Sequence, residues 1–263
     1  MSTRTRTPGF ATAVRLEFAK MKRLRTLPIM SVLVGAAVLF SGIGLFGEHA
    51  RAIADDPAAF PWASELMLVT MVNALIHPIL VAVLVSRQVD VENTGGGWIF
   101  NAGVGLRPGF LCRVKLVVLA GVLGLACALQ MGSTVGLGIL SGISVPLDVA
   151  IWIGYFVMLW LLDLALAVIH VWLSSRFENQ LVSVGVGLLG GFAAMFLLLA
   201  PAPFARVIPW GHYAVIAPVQ MNGGEDAFSV TYAAPDHVFF FLMLALAAGA
   251  AWFLTRRLDL IER

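Results

Sequence analysis

Residues Val149–Leu173 read VAIWIGYFVMLWLLDLALAVIHVWL, an apolar run interrupted only by Asp163 and His170. It shows no alternation of apolar and polar residues, which argues against a strand of a β-barrel. About 20 apolar residues suffice to cross a bilayer as a helix, so the run reads as a membrane span. Five others of roughly 18 residues or more fit the same description: Leu27–Phe46, Ser64–Ser86, Val114–Leu140, Leu181–Ala200 and His237–Leu254. Composition agrees, at 60% hydrophobic, 12% charged and a mean hydropathy of +0.92, far from the balance of soluble domains. The expected fold is an all-α polytopic membrane protein, one transmembrane domain over residues 1–263 with six spans.

Charge sets the orientation, because Lys and Arg collect on the cytoplasmic side. With the N-terminus inside, fifteen of the 17 basic residues fall on the inner side, leaving Arg51 and Arg206 outside. Glu48, Asp55, Asp56, Glu65, Asp148, Glu225, Asp226 and Asp236 fall outside. The net charge of +2 averages two oppositely biased faces. Both termini are expected in the cytoplasm. The basic start and the HARA at 49–52 have the look of a cleavable signal, but the first run, at about 20 residues, exceeds the usual h-region of roughly 7–15. Cys112 and Cys127 would sit about 22 Å apart on one helix at 1.5 Å per residue, too far to pair, and read as packing residues.

Ahead of the first span, Phe10–Arg25 (FATAVRLEFAKMKRLR) has the pattern of an interfacial amphipathic helix over residues 9–25. Phe10, Val14, Phe18, Met21 and Leu24 share one side, and Arg15, Lys22 and Arg23 the other. Glu17 falls within the apolar side: it either snorkels and pairs with Arg25 or Lys20, or packs on protein that supplies a partner. Pro28 marks the turn into the first span. Small residues at Gly124, Ala128, Gly132 and Gly136, and at Gly187 and Gly191, allow close helix approach. His77-Pro78 is expected to record a kink in the second span.

Asp163 lies about ten residues from either end of its span, where a charge costs roughly 2.5–3.5 kcal/mol. It should face the bundle interior, either as a proton-relay or substrate-contact group or as an interhelical hydrogen-bonding group. His170 lies on much the same face, and Asn73, His77 and Gln130 are candidate partners. The outer segment 201–236, PAPFARVIPWGHYAVIAPVQMNGGEDAFSVTYAAPD, is rich in proline and aromatics. Trp210, His212 and Tyr213 suit a membrane interface, and a re-entrant element is expected there between spans five and six.

The tools of membrane enzymes are absent from the sequence: there is no HExxH, HxxEH, GxSxG or Walker A pattern. The five histidines are scattered over both sides, poor ground for a metal site. The inner stretch DVENTGGGWIF, Asp90–Phe100, is glycine-rich but lacks the lysine of a phosphate loop and follows no strand. A basic run beside a membrane span does not suggest nucleic acid. Trp98, Ile99 and Phe100 need a surface to cover them, either the bilayer or another protein.

Taken together, an amphipathic E..K..R helix (Glu17, Lys20, Arg23), six spans, the inner stretch VDVENTGGGWIFNAGVGLRPGFLCRVKLV with Glu92, Trp98, Arg107 and Lys115, and the outer PWGHY resemble the type-2 ABC exporter permeases (ABC-2). The small permeases of lantibiotic-immunity and bacitracin-type exporters are the nearest in layout. The resemblance implies a non-catalytic transport subunit of a bacterial cytoplasmic membrane, with ATP and Mg bound by a separate ATPase chain and none by this one. It implies a second permease protomer, identical or paralogous. It places the coupling helix that docks on the ATPase between spans two and three, with Asp90, Glu92, Trp98, Ile99, Phe100 and Arg107 in the contact. It makes Trp210, His212 and Tyr213 part of an outer gate, and has spans one, two and five feel the substrate, an amphipathic peptide or lipophilic drug. The glycine triplet before Trp98 departs from the pattern, as a hinge or as room for close approach. Two other readings stand beside it: a stand-alone proton-coupled transporter using Asp163 and His170, and a membrane scaffold or sensor without a path.

Overall fold

The structure, a computed structural model, describes residues 9–223 and 228–260. Arg4, Arg6, Arg263, Glu225 and Asp226 of the charge count lie outside the described residues. The chain begins with α1 (Phe10–Arg23) and α2 (Thr26–Gly42), bent 70° from one another. A short α3 (Glu48–Ala52) and a 3-10 turn lead to α4 (Pro61–Thr94). The small α5 (Gly97–Gly103) separates α4 from α6 (Pro108–Leu140), and α7 (Val149–Arg176) and α8 (Gln180–Leu197) follow. Then come α9 (Ala202–Val207), a 3-10 turn, α10 (His212–Val215), strands β1 (Val219–Gly223) and β2 (Phe228–Tyr232), and α11 (His237–Leu260).

Five helices, α4, α6, α7, α8 and α11, are long and apolar enough to cross a membrane, and the bent α1–α2 pair makes up to six. The protein is therefore a helical, multi-pass membrane protein. Helix starts carry side-chain caps where the sequence offers them. Asp148 accepts from the backbone N–H of Ala150 and Ile151 at α7, and Asn179 from that of Leu181 at α8. α4 is the most enclosed span and α11 the least, so α4 is the central post and α11 a peripheral one.

Several expectations shift. The turn between α1 and α2 falls at Arg25, which adopts a left-handed conformation (φ 52°), while Pro28 sits inside the first turn of α2. Helix α4 runs from Pro61 through Pro78 to Thr94, so Asp90 and Glu92 lie in its last turns rather than in a loop. Where Pro78 removes a backbone donor, α8 comes close. A Cβ at Gly187 would strike Ala82 and the Pro78 carbonyl, and one at Gly191 the Leu75 carbonyl. That glycine pair thus serves packing within the chain. The third-span ridge divides: Gly124 faces Trp160 of α7, whereas nothing stands within 4 Å of a Cβ at Gly132 or Gly136.

The all-α expectation needs one amendment, the antiparallel hairpin β1–β2, in register from Val219↔Tyr232 to Gly223↔Phe228. Its sequence signal is the pair of short runs VQM and FSVTY, with alternating apolar or β-branched residues, on either side of a glycine-containing polar stretch. Both described ends of the chain meet at one end of the bundle. Asp259 of α11 accepts from the Phe110 N–H and from Arg113 of α6, and the Phe10 ring of α1 packs edge-on against Phe110.

Candidate functional site: a charged junction and a buried polar network

Two polar assemblies stand out in an otherwise apolar bundle, one at the end that holds the termini and one in the middle. At the first, α1 lies against α4 and α6 with Ala13, Glu17 and Met21 inward. Phe10 and Phe18 stay about half exposed, so the buried face is rotated from the one their spacing suggests. Glu17 is buried because protein covers it. Its carboxylate accepts from Lys20 on the next turn and, at 2.8 Å, from Lys115 of α6. Lys115 Nζ, fully buried, also donates to Glu92 Oε1 (3.0 Å) and to the Gln88 carbonyl (2.9 Å) of α4. Lys20 closes the ring with a 2.6 Å bond to Glu92.

Two ammoniums and two carboxylates thus balance at a junction where Glu17, Glu92 and Lys115 are buried and Lys20 is partly exposed, so that an unmatched charge among the buried three is costly. Burial by itself lowers the pKa of Lys20, but the Glu17 and Glu92 carboxylates outweigh it and hold the ammonium above its usual range. Lys20 therefore stays charged throughout the physiological range.

The ring reaches α5 through Asn101, which donates to Glu92 Oε2 at 2.7 Å. Trp98 turns inward: its indole N–H donates to Asn93 Oδ1 (2.7 Å), and Asn93 in turn donates to the Ser174 carbonyl of α7. Ile99 and Phe100 point out, 70% and 72% exposed, so the apolar knob read from the sequence is two residues rather than three. Arg107 is exposed and Asp90 half-buried at its rim. The short α5 is thereby tied to α4 and, through Glu92 and Asn93, to α1, α6 and α7, while its outer face stays exposed.

Gly96 and Gly97 serve different ends in the structure. Gly96 takes a left-handed φ of 61° that reverses the chain into α5. At Gly97 a Cβ would overlap the Glu92 carboxylate and backbone, so the glycine is room for close approach. Gly97→Ala is expected to lower stability by about 1–3 kcal/mol through that overlap. Gly95→Ala, whose Cβ would meet only the Val91 carbonyl at 3.6 Å, should stay within roughly 0.5 kcal/mol of the parent in thermal melting.

In the middle of the bundle Asp163 faces inward, fully buried. Its Oδ2 lies 2.6 Å from His77 Nδ1, and its Oδ1 accepts from the Tyr213 hydroxyl at 2.9 Å. His77 Nε2 lies 2.9 Å from Gln130 Oε1, Gln130 donates to Asn73 Oδ1 (2.6 Å), and Asn73 to the Tyr155 hydroxyl (3.1 Å). One continuous network therefore joins α4, α6, α7 and α10. Cys127 lies beside it: an S, an N and an O atom of Cys127, His77 and Asp163 fall within 4.8 Å of one another. Both His77 nitrogens and both Asp163 oxygens already have hydrogen-bond partners, so the trio is part of the network rather than a prepared set of metal ligands. His170 stands apart, its Nδ1 3.0 Å from the Ser183 hydroxyl of α8. The structure brings His77, not His170, to Asp163.

Tyr213 is the residue whose place differs most from expectation. It is buried and reaches Asp163 near the middle of α7, which holds α10 against the bundle. Trp210 packs on Gly190 of α8, where a Cβ would overlap its indole, and His212 is buried with Nδ1 3.3 Å from the Ile208 carbonyl.

A bundle of this design, apolar spans around a charged junction and a short tethered helix, has a counterpart in sequence space. The sequence model of the ABC-2 family transporter proteins matches residues 13–194, from α1 into α8. The chain belongs to this family. It is the membrane-spanning part of an ABC transporter, of a family that works with an ATP-binding subunit. A search of curated proteins found no match. The family match contains both α5 with its charged junction and the His77–Asp163 pair, while α9, α10, the hairpin and α11 lie beyond it.

Proposed function

We propose that this ABC-2 permease is an exporter subunit whose α5 is the coupling helix for a separate ATPase chain. The observation that carries the reading is the asymmetry of α5: Ile99 and Phe100 stand free on one side while Trp98 and Asn101 fasten the other to the charged junction. A helix built this way is covered by a partner on its outer face and transmits that partner's movement through its inner one. Asp90 and Arg107 would form the polar rim of the contact. Glu92, its carboxylate spent on Lys20, Lys115 and Asn101, would act as a positioning residue rather than touch the ATPase. Glu17, Lys20 and Arg23 would make α1 the second arm of the lever at the bilayer surface.

The excess of basic residues at this end supports a cytoplasmic placement for it and for both termini in a bacterial inner membrane. ATP and Mg would bind the partner alone. Two protomers, identical or paralogous, would frame a path for an amphipathic peptide or lipophilic drug, as in the lantibiotic-immunity and bacitracin-type exporters. Tyr213, with Trp210 and His212, would sit at its outer closure. Phe100→Asp is expected to reduce co-purification of the ATPase at least tenfold with no change in the permease's own melting, since Phe100 is largely exposed. ATPase capture at the parental level by that variant and by Ile99→Asp would overturn the docking role.

The His77–Asp163 pair favours one second reading, coupling of transport to protons. It predicts substrate movement in vesicles that hold the permease alone, driven by an imposed proton gradient. Movement only when the ATPase and ATP are present rules it out.

A further inference from the structure

At the end of the bundle remote from both described termini, a groove of about 270 Å³ runs between α7, α9 and α11. Apart from His212 of α10, its floor and walls are apolar, from Val168 and Ile169 of α7 and Phe239, Leu242, Leu246 and Ala250 of α11. It opens to the side, where lipid would lie, since Val207, Leu242 and Leu246 are 81%, 52% and 67% exposed. From Phe239 to Ala250 is eleven residues of α11, about 16 Å at 1.5 Å per residue. One leaflet contributes about 15 Å to the roughly 30 Å hydrocarbon core, so the groove is as long as a leaflet is deep.

Arg206 lines its mouth, and Asp236, bonded to Arg206, stands beside it outside the lining. Arg206 of α9 donates through Nε and Nη2 to Asp236 Oδ2, at 2.9 and 2.6 Å, with its guanidinium 4.6 Å from the centre of the Phe239 ring. Those bonds leave Nη1 without a protein acceptor among the described residues. Asp236 Oδ1 accepts only a long 3.5 Å bond from the Phe239 N–H. The two side chains remain 37% and 28% exposed. The mouth and its edge therefore present a donor and an acceptor of opposite charge side by side, above an apolar slot of leaflet depth.

We propose that this groove is a binding site for one phospholipid with a primary-amine zwitterionic headgroup, of the phosphatidylethanolamine class. One acyl chain lies along α11, the phosphate meets Arg206, and the ammonium donates to Asp236. The charge pattern selects among headgroups. A phosphatidylglycerol satisfies Arg206 but sets its negative charge beside Asp236 with nothing to neutralise it. A phosphatidylcholine has the right charges but no N–H to donate. The site rests on neither the transport reading nor the membrane orientation.

The test uses the full-length protein, equilibrated with mixed micelles of the three lipids with identical acyl chains in equal amounts. It is then separated by size exclusion and its retained lipid counted by mass spectrometry. The parent should retain phosphatidylethanolamine in at least fivefold excess over each of the other two. Arg206→Gln should bring the ratio near one. Ala250→Phe, on the exposed face of α11 and away from the ion pair, should remove the excess by filling the deep end of the slot without loss of folding. Equal retention of the three lipids by the parent, or an excess of phosphatidylglycerol, overturns the proposal. So does a phosphatidylethanolamine excess that survives Ala250→Phe or a folded Arg206→Gln protein.

Discussion

Lys115→Met is expected to lower the stability of the purified protein by about 3–5 kcal/mol, the cost of breaking a buried ion pair from one side. Methionine keeps the length and most of the volume of the lysine, so packing is nearly conserved and the loss is electrostatic. With Lys115 gone, Glu17 and Glu92 share Lys20 alone, and one negative charge is left unmatched at a junction where both carboxylates are almost fully buried. The Gln88 carbonyl loses its partner as well. Melting in detergent, followed by the fraction that stays monodisperse after heating, reads the effect. The second arm of the experiment is Lys115→Met with Glu17→Gln, which restores the balance as Lys20 against Glu92. It should recover at least half of the lost melting temperature. If single and double variants melt alike, charge balance is not what holds α1, α4 and α6 together, and the lever described for α5 loses its anchor.

This junction also marks where the sequence stops being legible. The spans were readable because each is a local property: an apolar run needs only its own residues to declare itself. The odd glutamate of α1 declared itself too, since an acid within an apolar helix face needs a partner. Which partner was not local. Glu17 and Lys115 are 98 positions apart, and the register of α1 against α6 comes from packing that no spacing rule encodes. The same holds for Asp163, 86 positions from His77. Asn73, His77 and Gln130 could be named from their polarity within spans, but Tyr155 and Tyr213 could not, because a tyrosine in a membrane helix ordinarily signals an interface. Inside α5, Trp98 and Phe100 look equivalent in sequence. In the structure the Asn93 acceptor, five residues before the tryptophan, holds one ring inward while the other stays out. The hairpin was missed, because its two five-residue strands lie in a mixed segment rich in proline and aromatics where short alternation carries little signal.

Asp163→Ala and Asp163→Asn are expected to part company, and the direction of the network says why. As oriented, Gln130 Oε1 accepts, so His77 Nε2 carries a hydrogen. One further proton then serves the 2.6 Å contact between His77 Nδ1 and Asp163 Oδ2, and the pair is neutral overall whichever atom holds it. Turning both amides over would satisfy the same atoms in reverse, but would leave the aspartate charge unbalanced in a fully buried site. Alanine at 163 removes the acceptor of the Tyr213 hydroxyl and the partner of His77 Nδ1, at about 1–3 kcal/mol for each stranded group. A large drop in melting temperature and detachment of α10 should follow, visible as new proteolytic cleavage between residues 201 and 218. Asparagine keeps both contacts: its oxygen accepts from Tyr213, and its amide donates to a His77 Nδ1 that holds no proton. Asp163→Asn should therefore melt within about 1 kcal/mol of the parent, as a shape-conserving change with its hydrogen bonds intact. If, as proposed, the coupling runs through α5 and the network serves as structure, it should also retain transport with a full complement of ATPase and ATP. Loss of transport in a stable Asp163→Asn protein would instead mean that the proton on this pair has to move, and would give the network the leading role in the mechanism.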